Sequence, residues 1–512
     1  MRATQRLAAA LVVGGLVSAA CGARLTADQR EEALSYGRGG GSGTEEVSGD
    51  NPVLGGPSVG PTGGPVQPGG PQPGRPGAVP GATTGPNQGS QGDPTLPGVD
   101  PRKNFTAMPA GGNGGATDVG VTKDTITIAN VSDVSGAVPG LFEDARFAVQ
   151  AYFKYYAARY GTLYGRKIQV LALDSQLDSG ANRSATIQAC AEAFGGVGSV
   201  SAFDQGGAPV VAECKSKGGL FPDLRGLATT EQIKAVPNVY AVNAAGTGGK
   251  RSLGQFGWAA EKFPEAIKKA AYVYSDGEVT RQLKDQDVEG TKNVLGYNWV
   301  ADIPVGTTET NYAPAANQIK SSGAQYVTFV GAYQQAANLA KAMRAQGWKP
   351  QVFQPTVTAY TPSFITQAGD ALRDDYTYIG VTSCLLEEIS RCPELQLYAQ
   401  WLQQVKPGAK PTNIGSFAWG AAALWVREMI EVGPKPTRGA LLDRIAKVKS
   451  YTSNSLFSPQ DVGGRELGDC VTVVRVVGGK FTRFLPAQVG TRRCGKDGLW
   501  NSKTKKPEPA IQ

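Results

Sequence analysis

The sequence predicts an α/β protein of two lobes: a clamshell in which each lobe is a mostly parallel sheet flanked by helices, with a β-hairpin near the C-terminus. Three observations carry this expectation. Short apolar runs alternate with helical patterns through two successive series, as in βαβ units around a parallel sheet. The stretch of ordinary composition, from about residue 121 to 494, is longer than one growing core usually supports. Close to its end the period changes to two around Gly478-Gly479, which marks a hairpin.

The first series opens with TITIANVSDVSGAVPGLFEDARFAVQAY at Thr125–Tyr152. Ile126, Ile128 and Val131 suggest a strand, and Phe142, Ala145, Val149 and Tyr152 recur at helical spacing. In open α/β sheets small ligands sit beyond the carboxyl ends of strands, so the loop 132–140 is a candidate binding surface. Ile168–Leu173 reads as the next strand, with Asp174 and Asp178 in its exit loop. Helices are expected at Asn182–Phe194 and Gly207–Lys217, and a further strand at 237–242. Asp174, Asp178, Asp204 and Glu213 read first as strand-exit and helix-surface residues.

In the second series Ala271–Tyr274, Trp299–Val305, Tyr326–Val330 and Val352–Gln354 read as strands, separated by helical patterns that include 288–295, 312–321 and 336–346. Beyond it come a strand at Tyr376–Val381, helices at Leu395–Val405, Phe417–Ile430 and Arg438–Val448, and then the hairpin. These helices are expected to return to the first lobe and the hairpin to close against the second. The expected organisation is therefore 121–242 with 382–450 as one lobe, 243–381 with 451–494 as the other, and 495–512 as a flexible tail.

The N-terminus has the layout of a secretory signal: Arg2 and Arg6, the apolar run Leu7–Val17, then Ser18, Ala19 and Ala20 before Cys21,. The ending VSAAC resembles the lipobox of bacterial lipoproteins, with Ser18 where leucine is usual. That resemblance makes 1–20 a signal peptide and Cys21 a lipidated first residue, which anchors the chain without spanning the membrane. Residues 21–120 are rich in glycine and proline, a composition that builds neither core nor ladder. About 80 such residues reach on the order of 50 Å as a random coil, enough to hold a folded body off the membrane. Six cysteines remain, an even number that in an exported chain argues for disulfides,. Of the fifteen connectivities the sequential one, Cys190–Cys214, Cys384–Cys392 and Cys470–Cys494, is the simplest.

Several function classes are disfavoured. The chain has no histidine, which removes serine-histidine and cysteine-histidine nucleophiles and histidine metal sites. The segment GTGGK at 246–250 lacks the rest of a phosphate loop. The net charge of +8 is not interleaved with aromatics as a nucleic-acid groove requires. No cofactor, metal or nucleic-acid partner is implied, and the chain is not expected to be an enzyme.

From roughly Val121 to Leu485 the chain resembles the type I periplasmic binding fold, specifically the branched-chain amino-acid or amide-binding proteins that deliver ligands to ATP-driven importers. The resemblance lies in ITIANVSDVSG, VYAVNAAGTGGKRSLGQF, KKAAYVYSD and GAQYVTFVGAYQQAANLAKAMRAQGWKPQVF, taken in order, and in the late helix FAWGAAALWVREMIE. The spacing Cys190–Cys214 also looks like that family's first-lobe disulfide. Carried to this chain, the resemblance implies ligand contacts at Ser135 and Gly136, at Ala202, Phe203, Asp204 and Gln205, at Thr229 and Thr230, and at Tyr333 with Gln334 and Gln335, more loosely at Tyr360. Asp276-Gly277-Glu278-Val279-Thr280 departs from the pattern, lacking the family's tyrosine. Asp204 or Glu278 stands as a substitute partner for a ligand ammonium. Arg225 reads as a surface arginine, or as one facing an anion in the cleft.

The expectation is an extracytoplasmic solute-binding lipoprotein that passes a small polar ligand, such as an amino acid or amide, to an ABC permease. It would sit lipid-anchored at the outer face of the membrane or in the periplasm, as a monomer unless an envelope partner is present. The alternative is an envelope accessory or sensor protein that reuses the clamshell through protein contacts.

Overall fold

The computed structural model describes residues 103–243 and 249–511; the expected signal peptide, Cys21 and the tether up to residue 102 lie outside them. Thr125–Ser132 is the first strand, and its burial is continuous from Ile128 onward, as a strand covered on both faces requires. It pairs in parallel with Lys167–Asp174 over its whole length, Thr125 opposite Lys167 and Ser132 opposite Asp174. Its other neighbour is Gly196–Val197, and Asp223–Leu227 and Val239–Asn243 complete a five-stranded parallel sheet. In the second lobe Trp299–Val305, Ala270–Ser275, Tyr326–Val330 and Val352–Pro355 lie in that order, again parallel. The hairpin Thr472–Val477 with Lys480–Leu485 pairs with Tyr378–Val381, and a bridge from Phe353 to Thr377 joins it to the second sheet.

The helix Asn413–Val432 returns to the first lobe. The Thr412 side chain caps it by accepting the Gly415 N–H, which satisfies one of the donors a helix start leaves free. The helix is apolar almost all round and correspondingly buried,. Trp419 meets Tyr152 of the helix Glu143–Tyr160 edge-on, with ring centroids 5.0 Å apart. The hairpin residues Val474, Val476 and Phe481 pack into the second lobe's core. Three disulfides join Cys190–Cys214, Cys384–Cys392 and Cys470–Cys494, the sequential pairing.

Four expectations need correction. Residues 103–120 are part of the body rather than of the tether. Buried Arg166 donates to the carbonyls of Asn113, Gly115, Thr122 and Pro434, and so ties this segment down with no carboxylate partner among the described residues. Tyr451, Leu456, Phe457 and Val462 belong to the first lobe's core rather than the second, because Phe457 packs on Phe417 and the Tyr451 hydroxyl donates to the Gly420 carbonyl. The helix expected to reach Lys217 stops at Glu213; Lys215–Ser216 and Gly219–Leu220 form a small antiparallel pair instead. The segment 495–512 is no frayed tail over its described part. Leu499–Asn501 pairs with Lys250–Ser252 on one side and Lys506–Glu508 on the other, and Trp500 is buried.

Burial pushes the Asp144 carboxyl, in the first turn of Glu143–Tyr160, from its ordinary 3.8 up to about 6. A Thr412 hydrogen bond opposes this, Glu143 adds to it and Lys406 opposes it. A raised carboxyl contributes stability that is complete below about pH 4 and lost as the pH climbs through about 6. Discounted for partial exposure, the loss is about 1–2 kcal/mol. Asp144→Asn is expected to remove it, so the variant gains on the wild type between pH 4 and pH 7 in paired thermal melts.

Candidate functional site: the cleft between the lobes

Parallel strands send all their exit loops to one edge. In the first lobe those loops follow Ser132, Asp174, Val197 and Leu227; in the second they follow Ser275, Val305, Val330 and Pro355. The two edges face each other across a cavity of about 290 Å³, at the lower end of the roughly 300–1,000 Å³ usual for small-ligand sites. The first lobe contributes Val138, Leu141, Leu177, Ala202, Phe203 and Thr229 to its wall. The second contributes residues 277–280, Val330, Ala332, Gln335 and Thr356–Thr358. Ile414, Leu467 and Val471 from the returning segments close it. By surface the wall is mainly apolar, although half of the residues that line it are polar.

The residues singled out in the sequence divide into three sets. Ala202, Phe203, Thr229 and Gln335 line the cavity. Ser135 and Gly136 are exposed and outside its wall. Ser135 donates from its hydroxyl to Asp174 at 2.6 Å, and Gly136, at φ +101°, lies so close to the Gln176 carbonyl that a Cβ would collide with it. Asp204, Gln205, Thr230, Tyr333, Gln334 and Tyr360 also stand outside the wall. Tyr333 packs on the second lobe's core, and the Tyr360 hydroxyl is held between Glu387 and the Leu386 N–H.

The donors proposed for a ligand carboxylate are engaged by the chain's own oxygens. Asp133, wholly buried, accepts from the Ser175 and Ser201 hydroxyls and from the Leu177 and Ala202 amides. Burial pushes its carboxyl up, and those hydrogen bonds pull against the rise. Asp204 accepts from the Thr229 and Thr230 amides at 2.9 and 3.0 Å and from the Thr230 hydroxyl at 2.6 Å. The Thr229 hydroxyl donates to the Ser201 carbonyl, and the Phe203 amide to the Ser201 hydroxyl. Asp204 is thus an internal anchor, not a helix-surface residue. Arg225 is likewise neither on the surface nor turned to an anion in the cleft. It is buried, bonded to Asp223 at 2.9 Å with Asp204 at 3.5 Å. Burial would lower its pKa, but the charges of Asp223 and Asp204 reverse the sign and raise it.

A sequence profile described as periplasmic binding protein matches residues 125–480. The chain belongs to that family. Solved structures similar to this binding protein include a leucine-binding protein of Thermotoga maritima, 15% identical with a TM-score of 0.58 over 70% of this chain and 98% of its own. A fatty acid ABC transporter substrate-binding protein of Thermomonospora curvata is 17% identical, with a TM-score of 0.60 over 79% of this chain and 99% of its own. A solute-binding protein of an ABC transporter from Rhodopseudomonas palustris, in complex with 4-hydroxybenzoate, is 17% identical, with a TM-score of 0.57 over 70% and 96%. No curated protein sequence matches. At this identity the likeness establishes the two-lobed fold, and the matched profile establishes membership of the periplasmic binding proteins. Among the described residues no cluster of histidine, cysteine, aspartate and glutamate could hold a metal ion.

Leu141, Phe142, Leu177, Gln255, Gln286 and Asn413 line the cavity without having been singled out. Leu141 and Phe142 sit just before the helix Glu143–Tyr160, and the spacing assigns Phe142 to its apolar face. Asn413 was signalled: PTNIGSF places a capping threonine before the long helix,, and with it the following asparagine at the cleft.

Proposed function

We propose that this binding protein captures a small molecule with a largely apolar body between its lobes and presents it to the permease of an ATP-driven importer. The carrying observation is the wall itself, where Val138, Leu141, Phe142, Phe203, Val279 and Ile414 surround the space, while Thr229, Thr230 and the Ala202 amide are already bonded within the protein. A small polar solute held by those donors has less to bind than an aliphatic or aromatic one. The descriptions of the Thermomonospora protein as a fatty-acid transporter component and of the Rhodopseudomonas protein with 4-hydroxybenzoate support the same choice. Lipidation at Cys21 and the glycine-proline tether hold the body at the outer face of the membrane, within reach of the permease.

A ligand shifts an open-closed balance only when it binds one state better, so closure requires contacts with both lobes. Calorimetry with aliphatic and aromatic compounds, paired with small-angle scattering, tests this. Phe203→Ala is expected to weaken binding by about 1–3 kcal/mol, and Ala202→Trp, which fills the cavity, to abolish both binding and compaction. Unchanged affinity in Ala202→Trp rejects the cleft as the site.

A further inference from the structure

We propose that the ligand of this cleft is uncharged: a molecule with an apolar body and one or two hydrogen-bonding oxygens, rather than a carboxylate or an ammonium. The inference rests on the reading that the ligand lies between the lobes, and it narrows the chemistry of what lies there.

Five charged residues line the cavity, and each has a partner inside the protein. Lys234, buried, lies 3.2 Å from Glu231. Lys250 is 3.0 Å from Glu466 and 3.1 Å from Glu508. Arg251 grips Asp287 through two nitrogens, at 2.5 and 3.2 Å. Asp469 accepts three backbone amides, those of Gly495, Asp497 and Gly498. Glu278, exposed at the rim, accepts from Gln232 of the other lobe at 3.0 Å. An anionic ligand that took Lys234 or Arg251 would leave Glu231 or buried Asp287 without its counter-charge, with only the Gly249 amide or the Tyr272 hydroxyl as donor. The three lining cations face Glu231, Glu466, Glu508 and Asp287 as their partners, so their charge is already balanced within the protein. A cationic ligand fares no better, because Asp287 and Asp469 already have their donors. A charge brought into an apolar site without a counter-charge loses its hydration with nothing in exchange.

What the wall offers instead is neutral. Among the described residues the side chains of Gln255 and Gln286 bond to no other residue, and both line the cavity. Asn413 accepts from the Ser383 amide and hydroxyl through its oxygen, which leaves its NH2 as a donor. Gln460 uses its NH2 on Ser458, which leaves its oxygen as an acceptor. Carboxamides both donate and accept without charge, so the set suits the carbonyl or hydroxyl of an amide, alcohol or ester.

Matched probes on one chain length test the proposal: octanamide, octanoate and octylammonium, titrated into the intact protein at neutral pH, with Ala202→Trp as the blocked control. Octanamide is expected to bind at least about tenfold tighter than either ion, and its affinity to change less than about twofold between about 50 and 500 mM NaCl. Octanoate or octylammonium binding as tightly, and lost in Ala202→Trp, overturns neutrality while leaving the cleft reading in place. Failure of all three to bind, or binding that survives Ala202→Trp, removes the apolar cleft reading and this inference with it.

Discussion

Asp204→Ala is expected to cost about 3–5 kcal/mol, the usual consequence of breaking a buried ionic network from one side. The carboxylate holds the two amides and the hydroxyl of Thr229–Thr230 and stands 3.5 Å from the Arg225 guanidinium. Without it three donors lose their acceptor, and Arg225 keeps only Asp223 of its two ion-pair partners. Water has poor access, since Asp204, Thr230 and Arg225 are all buried. Urea unfolding followed by tryptophan fluorescence gives the midpoint, and a shift worth less than about 1 kcal/mol would contradict the anchoring role. Asp204→Asn, which keeps the shape and part of the acceptor capacity, should fall between the two.

The second large effect is expected at Trp500. Its ring is buried, a Cβ on Gly290 would meet it, and its Nε1 donates to Glu289 at 3.0 Å. Trp500→Ala leaves a cavity under the sheet formed with Lys250–Ser252, and truncations of this kind cost about 3–5 kcal/mol. Hydrogen exchange separates a local effect from a global one. Amides of Lys250–Ser252 and Leu499–Asn501 should lose protection first, while those of Thr125–Ser132 keep theirs. Uniform loss across both lobes, or none, would reject the view that this residue pins the strand Lys250–Ser252.

The elements legible in the sequence were those whose periodicity and burial agree. Trp299–Val305 and Tyr326–Val330 have the expected bounds, because β-branched and aromatic residues there are flanked by turn signals. Leu499–Asn501 was illegible because three residues between Gly498 and Ser502 carry no period, and their partner is half a chain away. The site was legible to the level of the loops. Ala202, Phe203 and Thr229 stand on the wall, whereas Thr230 and Ser135 turn to Asp204 and Asp174. Sequence identifies a hydroxyl at a strand exit but not which carboxylate has reached it first. Asp204 reads as an ordinary strand-exit or helix-surface acid for the same reason, and buried Asp133 carries no signal in the sequence at all; burial is decided by the other strands of the sheet.

The sheet that joins Lys250–Ser252 to Leu499–Asn501 and Lys506–Glu508 also fixes an order of assembly. Most strand pairs of the first lobe are local in sequence, so they can form as the chain emerges; this one waits for residues close to 508. Pairings of such long separation are late because the intervening loop must close first. A chain that leaves the cytoplasm N-terminus first thus completes both lobes' sheets while the slot beside Gly290 and Leu253 still lacks the Trp500 ring. For that interval the apolar slot that the ring fills is open, the kind of exposed surface on which chaperones and proteases act.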